Sequence, residues 1–592
     1  MVLGRSLLVL IACTVPAGSA LAQAGQTRLD SLDAYIREQM ARREIPGLSL
    51  AIIQNGRIAV ARGYGVVDKS TQAPVTTTTL FQAGSISKPV SALGALHLVE
   101  QGRLSLDGDV NAMLTSWHVP ENGFTTTEKV TLRRLLSHSA GVTVHGFPGY
   151  SVDGPRPTLV QVLDGTPPAN TPPIRVDTTP GAIWRYSGGG FTIMQQMMID
   201  VTGTPFPLFM RETVLGPIGM TNSSFEQPQP PERAAHTATG YYANRSPVPG
   251  RWHVYPEMAA AGLWTTATDL AKFAIEIQET LAGKGHGVIS PTMARQFVTE
   301  QNGGSGLGIG VSGTGRQLTF SHGGRDEGFD ARLLAFAETG QGIAIMINAN
   351  DNSRFMGRVV NFIARAYDWP LESTGSSPAA SRGVPIARSL LAEYAGYYEA
   401  AENQMGTLVP NDSGTGLVIL VDGLPDEVFL ALDSARFGST ERPVWITFTG
   451  EAGATADGLT WRSASGVQRR MPKVAPLPSS VTAMPDPDVA LTGRIGAALQ
   501  ALRRGGDALA AAPGLTPGAK HDFSRGVGIT LAGAEKMAYV SEGNVAGRGL
   551  RRHGGDVTRV RYYRVTTAAG TRFILVYLTA DGLVTDYDVV DQ

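Results

Sequence analysis

The sequence has 592 residues, which is too many for one hydrophobic core and predicts three or four domains at roughly 150 residues each. Lys and Arg number 50 and Asp and Glu 51, so the formal net charge is -1. This balance argues against a nucleic-acid or polyanion binder, which needs a basic surplus to meet phosphate. With 42% hydrophobic and 17% charged residues, the chain is globular rather than disordered.

The N-terminus has the features of an export signal. Arg5 supplies the positive region, residues 6–15 an apolar core, and residues 20–22 (Ala-Leu-Ala) a cleavage site, which predicts a signal peptide over 1–22. Residues 10–13 also resemble a lipobox, so the alternative is a lipoprotein anchored through Cys13. Either reading predicts a periplasmic or secreted protein. No later stretch reaches the roughly 18 apolar residues of a transmembrane segment.

Cys13 is also the chain's single cysteine, and it lies in the segment predicted to be removed. A thiol enzyme, a zinc ribbon and a disulfide scaffold are therefore excluded together. The ten histidines show neither H-E-x-x-H nor a cysteine partner, so we expect no metal and no cofactor.

The elements of residues 28–370 predict an α/β fold. Strands at both ends of this region enclose helices, which suggests one sheet built from its first and last parts with a mostly helical insertion. Asn55-Gly56 joins two apolar runs and is the strongest short hairpin signal, because both turn positions need positive φ. The predicted strands are 47–54, 57–65, 316–321, 331–336 and 342–348, and the predicted helices are 29–43, 90–101, 132–137, 191–201 and 270–277.

The composition after a linker at 373–387 becomes β-like, and it predicts two small appended domains. Short apolar runs separated by turn residues indicate a β-rich domain over 385–480. A helix over 488–511, followed by strands near 560–566, 571–578 and 583–590, indicates a small α+β domain over 488–592.

Ser85-Ile86-Ser87-Lys88 is the first pattern with catalytic chemistry. A serine hydroxyl is a poor nucleophile until a neighbour accepts its proton, and an amine three residues later on a helix lies on the same face. Lys88 is the one lysine of the chain with a serine three positions before it. Pro89 falls in the first helical turn, where proline is tolerated. Ser85 is therefore the candidate nucleophile.

Two further motifs follow in order, Tyr186-Ser187-Gly188 and His322-Gly323-Gly324. The set resembles the serine β-lactamase and penicillin-binding protein superfamily, above all its class C β-lactamase-like branch, which includes esterases and D-peptidases. The resemblance covers residues 28–370 and implies a β-lactamase-like sheet flanked by helices. Three connecting segments also resemble recurring segments of that branch: 131–141, 215–220 and 262–270.

The resemblance implies a role for each motif residue. Ser85 would form a covalent acyl-enzyme, and Lys88 and Tyr186 would share the proton transfers. The sequence leaves open whether a neutral Lys88 or a phenolate Tyr186 is the base. The backbone N–H groups of Ser85 and Arg325 would form the oxyanion hole, and Gly323 and Gly324 would let the substrate approach the strand edge.

Two departures from the family pattern bear on the substrate. Gly188 stands where the family has an asparagine that binds the substrate amide, and His322 stands where it has a lysine. A neutral imidazole is a weaker carboxylate anchor than lysine, and glycine offers no side chain. Both changes shift the prediction from β-lactams towards small carboxylic esters or D-amino-acid-containing peptides.

Other functional interpretations remain open at this point. The alternatives are a β-lactamase or DD-carboxypeptidase, or a non-catalytic binding or scaffold protein on a hydrolase fold. Ser139 beside His138 fails as a triad because its segment is structural in the resembling family. Residues 394–398 make the β-rich domain similar to the lipocalin-like barrels behind some D-peptidases, and we expect it to border the site. The partner is a small-molecule or peptide substrate, and the oligomeric state stays unknown.

Overall fold

A computed structural model describes residues 17–590, except 244, 352–354, 371–382, 402–403, 412, 422–426, 441–443, 450–455, 464–467, 477–481, 505, 524–535 and 568–569. Most of the predicted signal peptide, including Cys13, lies outside the described residues, and residues 17–22 begin the first helix. The chain divides into two compact units, one ending at residue 372 and one following it. Within the described part, no helix has the length and apolar character needed to cross a bilayer.

The N-terminal unit is built on an antiparallel six-stranded sheet in the order β2-β1-β10-β9-β8-β7. Its β1–β2 hairpin turns at Asn55-Gly56, as the sequence predicts, with φ at 52° and 68°. The strands of this unit are β1 (Gly47–Gln54), β2 (Arg57–Gly65), β3 (Phe81–Gln82), β4 (Tyr150–Ser151), β5 (His253–Val254), β6 (Trp264–Thr265), β7 (Gly310–Ser312), β8 (Thr319–Asp326), β9 (Phe329–Phe336) and β10 (Gly342–Ile347).

The helices of this unit lie on both faces of the sheet, which confirms an α/β fold with a helical insertion between β2 and β7. They are α1 (Ala17–Arg42), α2 (Ser87–Glu100), α3 (Leu132–Leu136), α4 (Leu159–Asp164), α5 (Gly188–Thr202), α6 (Phe206–Met210), α7 (Gly216–Ile218), α8 (Pro231–Ala234), α9 (Met258–Ala261), α10 (Ala267–Leu281), α11 (Pro291–Phe297) and α12 (Phe355–Ala366). A 3-10 turn over Gly84–Ile86 leads into α2.

Two apolar cores cover the sheet because its side chains alternate between faces. One core packs α1 and α12 against residues such as Leu50 and Ile345. The other packs α2, α5 and α10 against the opposite face, where Ala51 and Met346 point. Because helices cover both faces of the sheet, β1 is a continuous apolar run and not an alternation of apolar and polar residues.

The edge of the sheet that borders the catalytic motifs differs from the prediction. The strand expected over 316–321 begins later, at Thr319, because residues 315–317 form a 3-10 turn. Gly313, just before this turn, and Gly315, its first residue, both have positive φ. The strand also continues to Asp326 instead of ending before the third motif. His322, Gly323, Gly324 and Arg325 therefore lie inside β8, paired with β9.

The C-terminal unit begins with a closed antiparallel barrel whose eight strands follow chain order. This agrees with the lipocalin-like prediction. Aromatic and aliphatic side chains fill its interior, including a stacked pair of Tyr394 and Phe448 with ring centroids 3.8 Å apart. The elements are α13 (Arg388–Tyr394), β11 (Gly396–Ala401), β12 (Gln404–Pro410), β13 (Gly416–Val421), β14 (Glu427–Ala431), β15 (Arg436–Ser439), β16 (Val444–Thr449), β17 (Gly458–Ser463) and β18 (Gln468–Pro476).

A four-stranded sheet, in the order β19-β22-β23-β24, completes the C-terminal unit with three helices, as an α+β arrangement requires. The predicted helix 488–511 is divided into α14 and α15. The elements are α14 (Val489–Arg504), α15 (Gly506–Ala511), α16 (Pro517–Phe523), β19 (Lys536–Asn544), β20 (Arg551–Arg552), β21 (Gly555–Asp556), β22 (Arg559–Thr567), β23 (Gly570–Leu578) and β24 (Val584–Val590). The boundaries 385–480 and 488–592 stay predictions.

One buried arginine links the barrel to this sheet. The Arg552 guanidinium is fully buried and lies 2.9 Å from a Glu399 carboxylate oxygen on β11. It also pairs with Asp586 at 3.0 Å and with Asp588 at 3.1 Å on β24. Burial raises the pKa of Glu399 to about 8, so the ion pairs of the guanidinium at neutral pH are those with Asp586 and Asp588, and removing it would leave the buried Asp586 carboxylate without its guanidinium partner.

We therefore expect Arg552→Ala to lower the free energy of unfolding of the C-terminal unit by about 3–5 kcal/mol. The matched control is Arg551→Ala, because Arg551 pairs with Asp556 on the exposed surface and should contribute under about 1 kcal/mol. Urea unfolding of the full chain at pH 7 measures both. Equal losses in the two variants would contradict the assigned role of Arg552.

Candidate active site

Ser85 lies in a tight turn that is stabilised by its neighbours Gly84 and Ser87. Gly84 takes φ +50°, and a Cβ there would lie 2.4 Å from the backbone nitrogen of Arg325 on β8. The buried Ser87 hydroxyl donates to the Gly84 carbonyl at 2.6 Å and accepts from the Leu263 N–H at 2.9 Å. The turn thus presents a partly exposed Ser85 at the start of α2.

Lys88 lies on α2 one turn after Ser85, and its side chain is buried at 1% exposure. Its Nζ donates to the Ser85 Oγ at 2.9 Å and to the Ala260 carbonyl on α9 at 2.8 Å. The expected contact between the serine and the amine on one helix face is therefore present. The second hydrogen bond restricts the position of the amine, because the Ala260 carbonyl belongs to the backbone of α9.

Tyr186 precedes α5, and its ring centroid lies 5.0 Å from the Lys88 Nζ. His138 holds the backbone on both sides of it. The Arg185 N–H donates to the His138 carbonyl at 2.8 Å, and the Ser187 N–H donates to the His138 Nδ1 at 3.2 Å. Ser187 then caps α5 by accepting from the Gly190 N–H at 3.1 Å.

Three imidazole rings surround the Tyr186 phenol. Their centroids lie 4.3 Å (His138), 4.8 Å (His145) and 6.2 Å (His322) from that of Tyr186. Burial, together with the nearby Lys88 charge, holds the pKa of all three below the usual value of 6.5. For His322 the pKa falls to about 4. The rings are therefore neutral at neutral pH.

The tautomer of His322 follows from its contact with the chain. Its Nδ1 lies 2.6 Å from the Gly323 carbonyl oxygen, which can only accept a hydrogen bond. The Nδ1 therefore carries the proton, and in the neutral ring the Nε2 is left as an acceptor. The residue of the third motif thus offers a lone pair rather than a positive charge.

The β8 backbone passes the nucleophile turn closely. A Cβ on Gly324 would lie 1.9 Å from the Ala83 carbonyl oxygen, so only glycine fits at this position. Gly323 has open space around its Cα. The Arg325 side chain is held by two hydrogen bonds to Asp330, at 2.7 and 2.6 Å, and its backbone nitrogen lies beside Gly84.

Gly188 is the first residue of α5, and the space around it for a side chain is tight. A Cβ there would lie 3.0 Å from the Phe147 ring and 3.1 Å from the His145 carbonyl oxygen. Phe147 thus packs where an asparagine side chain would begin. The loop that carries His145 and Phe147 therefore favours glycine at this position.

Two buried carboxyl groups lie behind the site, and no local sequence pattern marks either of them. Glu257 is fully buried and Asp326 is 4% exposed, and their oxygens make no hydrogen bond of normal geometry. Asp326 shares the β8 face of His322 and Gly324, the face packed on the Ser85 turn. Burial raises the pKa of Asp326 well above its usual range and that of Glu257 to about 7.

Other candidate groups lie elsewhere. The Ser139 hydroxyl bonds to the Ser137 hydroxyl at 2.9 Å, and the neighbouring His138 bonds to Ser187, so they do not form a serine–histidine pair. Among the described residues, Glu276, Glu279 and His286 are close enough to hold a metal ion. Glu276 and His286 already bond to each other at 2.5 Å.

The structure brings Ser85, Lys88, Tyr186 and the 322–325 segment into one cleft. His138, which holds Tyr186, was interpreted from sequence only as part of a structural segment. His138 has φ +58° and forms hydrogen bonds with the backbone of Arg185 and Ser187, which are nearly 50 residues away in the chain. Contacts over this separation have no local sequence pattern. Glu257 and Asp326 were missed because carboxylates are rarely buried.

Comparisons with known proteins agree with this geometry. A profile of the family described as Beta-lactamase matches residues 32–368. "Protein flp" of Staphylococcus aureus (strain MRSA252) is 25% identical over 347 residues, which is 56% of this chain and 65% of that protein. "Putative penicillin-binding protein PbpX" of Bacillus subtilis (strain 168) is 26% identical over 318 residues, 53% of this chain and 73% of that protein.

Among solved structures, the octameric penicillin-binding protein homologue from Pyrococcus abyssi is similar to this chain, with a TM-score of 0.50 and 20% identity. The similarity covers 75% of this chain and all of that one, and it shows a shared fold. The chain spans just under two thirds of the length of the staphylococcal relative.

Glu257 predicts a pH dependence of stability. Its pKa rises from 4.5 to about 7 on folding, so the folded state binds more protons between these values and stability falls as pH rises through them. The expected loss is about 3 kcal/mol. Glu257→Gln should remove it, so that urea midpoints at pH 5 and pH 8 differ less than in the wild type. Glu232→Gln, at an exposed position, is the control. Parallel pH curves for wild type and Glu257→Gln would contradict the assignment.

Proposed function

The chain belongs to the Beta-lactamase family, and we propose on this basis that it is a serine hydrolase that forms an acyl-enzyme on Ser85. The hydrogen bond of 2.9 Å between the buried Lys88 Nζ and the Ser85 Oγ is the observation that carries this proposal. A serine must lose its proton to become a nucleophile, and the bond places next to that hydroxyl an amine that is also held by a second bond to Ala260.

The chemistry proceeds in two steps. The Ser85 Oγ attacks the acyl carbonyl carbon, its proton passes to the Lys88–Tyr186 pair, and the bond to the leaving group breaks as that group takes a proton. Water then attacks the acyl-enzyme, gives up one proton to the same pair, and releases the acid and Ser85. Either a neutral Lys88 amine or a Tyr186 phenolate serves as base: the amine bonds to the hydroxyl, and the Tyr186 ring centroid lies 5.0 Å from the amine.

The negative oxygen that develops in each step needs hydrogen-bond donors. The N–H of Ser85 and the N–H of Arg325 are the proposed pair. Support comes from the closeness of the two chain segments, because a Cβ on Gly84 would lie 2.4 Å from the Arg325 nitrogen. Backbone donors held this rigidly stabilise an oxyanion without reorganisation during the reaction.

The charge around the cleft favours a substrate without a carboxylate. His322 is neutral, and the Arg325 guanidinium is bonded to Asp330. Arg134 pairs with Glu128 at 2.5 Å, and Arg185 pairs with Asp177. We therefore propose small carboxylic esters as substrates. D-amino-acid-containing peptides are the second candidate, because the His322 Nε2 can accept from a substrate N–H.

The location of this activity is proposed from the sequence. The signal features of residues 1–22 favour export to the periplasm or the medium, either as a free protein or as a lipoprotein through Cys13.

We expect Ser85→Ala to abolish covalent labelling by a fluorophosphonate, detected as an adduct by intact mass and located by peptide mapping. Lys88→Ala and Tyr186→Phe should slow labelling and ester hydrolysis by about 10²–10⁴, the typical contribution of a positioned acid or base. Ser139→Ala is the matched serine control and should label at the wild-type rate. An adduct elsewhere, or undiminished labelling of Ser85→Ala, would refute the nucleophile.

The substrate proposal predicts higher kcat/KM for p-nitrophenyl butyrate than for nitrocefin, which carries a carboxylate. The Bacillus subtilis relative carries a penicillin-binding name, so stable acylation by penicillin is the competing result. His322→Lys should raise the rate of acylation by nitrocefin and leave the ester within a few-fold, because it adds the missing cation. Faster turnover of nitrocefin than of the ester by the wild type would reject the ester proposal.

A further inference from the structure

An exposed apolar surface lies on the chain just before Tyr186. Ile183 is 43% exposed and Trp184 is 44% exposed, which places them among the few large apolar side chains with this exposure in the described part of the chain. Single exposed apolar residues are common and need no function. Here the two are adjacent, and they belong to the segment that carries the catalytic phenol.

The Trp184 indole is held in one orientation. Its Nε1–H donates to the Ser305 Oγ at 2.9 Å. Gly303, at φ +58°, lies against the ring so closely that a Cβ there would be 2.7 Å from it. The His138 ring contacts it edge-on at 6.2 Å. An indole fixed by these contacts, yet still 44% exposed, presents a rigid apolar face to solvent.

His138, which is itself buried at 5% exposure, packs between the indole and the Tyr186 ring. The same imidazole that contacts Trp184 lies 4.3 Å from the Tyr186 ring. The indole is therefore separated from the catalytic phenol by one ring. The two arginines nearby in sequence, Arg134 and Arg185, are paired with carboxylates, so the surroundings do not favour a charged ligand group.

We propose that Trp184 is a specificity-determining residue whose exposed indole face binds an aromatic or extended alkyl group of the substrate. This inference rests on the proposed function, because it assigns the substrate of the same site. A preformed aromatic face binds a hydrocarbon group without the entropic cost of ordering a loop. The apolar group belongs either to the acyl part or to the leaving group, and the experiment separates the two.

The test compares kcat/KM of wild type, Trp184→Ala and Trp184→Phe on two ester series. One series varies the acyl chain of p-nitrophenyl esters from acetate to octanoate and phenylacetate, and the other varies the alcohol of acetate esters from methyl to benzyl. We expect Trp184→Ala to lose about 10-fold or more on the large members of one series and little on acetate, since only a large group would reach the indole and lose an apolar contact with it. Trp184→Phe should retain most of the preference. The series that responds identifies the group that binds.

Phe124→Ala is the control, because Phe124 is equally exposed at 44%. A uniform loss across all esters in Trp184→Ala would show a structural role through His138 and would overturn the proposal. An equal change in Phe124→Ala would also overturn it.

A second measurement separates this proposal from the proposed function. The rate of Ser85 phosphonylation is compared for a methyl and a decyl fluorophosphonate. No reaction at Ser85 would reject the proposed function itself. Reaction at Ser85 without a faster rate for the decyl reagent, or with a preference that survives in Trp184→Ala, would reject only the role of the indole.

Discussion

The hydrogen bond between Lys88 and Ser85 is the constraint on which the rest of the site depends. A buried amine is costly to desolvate, and here it bonds to two oxygens, the Ser85 hydroxyl and the Ala260 carbonyl. Leaving a buried donor without its partner costs about 1–3 kcal/mol, so these two bonds stabilise the buried position of the amine. The neighbouring elements keep these two oxygens in position. The Ser87 hydrogen bonds and the close approach of Gly324 on β8 stabilise the turn that carries Ser85, and α9 carries Ala260.

The electrostatic surroundings of that bond are unusual in two respects. The aromatic side of the cleft is neutral, because burial and the Lys88 charge lower the pKa of His138, His145 and His322. The opposite side contains Asp326 and Glu257, whose raised pKa values reflect their burial. These two features are the basis on which we propose uncharged rather than anionic substrates.

Much of the N-terminal fold could be predicted because its signals are local. Asn55-Gly56 marks the first hairpin, and both turn residues have the positive φ that this signal requires. The Ser85–Lys88 contact follows from helical periodicity alone. In each case the residues that carry the signal are also the residues in contact.

The predictions were incomplete where contacts between distant segments decide the structure. The predicted strand ends at residue 321, but β8 continues through both glycines of the third motif to Asp326, and Gly324 is required there because a Cβ would lie 1.9 Å from the Ala83 carbonyl oxygen. The contact of His138 with Tyr186 joins residues 48 apart, and the burial of Asp326 depends on which face of β8 packs on the nucleophile turn. None of these contacts has a local sequence pattern.

A crystal structure of the fluorophosphonate-treated protein tests most directly whether Ser85 is the nucleophile. The account predicts that phosphorus is bonded to the Ser85 Oγ and that the phosphoryl oxygen lies about 2.7–3.1 Å from the backbone nitrogens of Ser85 and Arg325. An adduct on another residue, or a phosphoryl oxygen pointing away from both nitrogens, would contradict it.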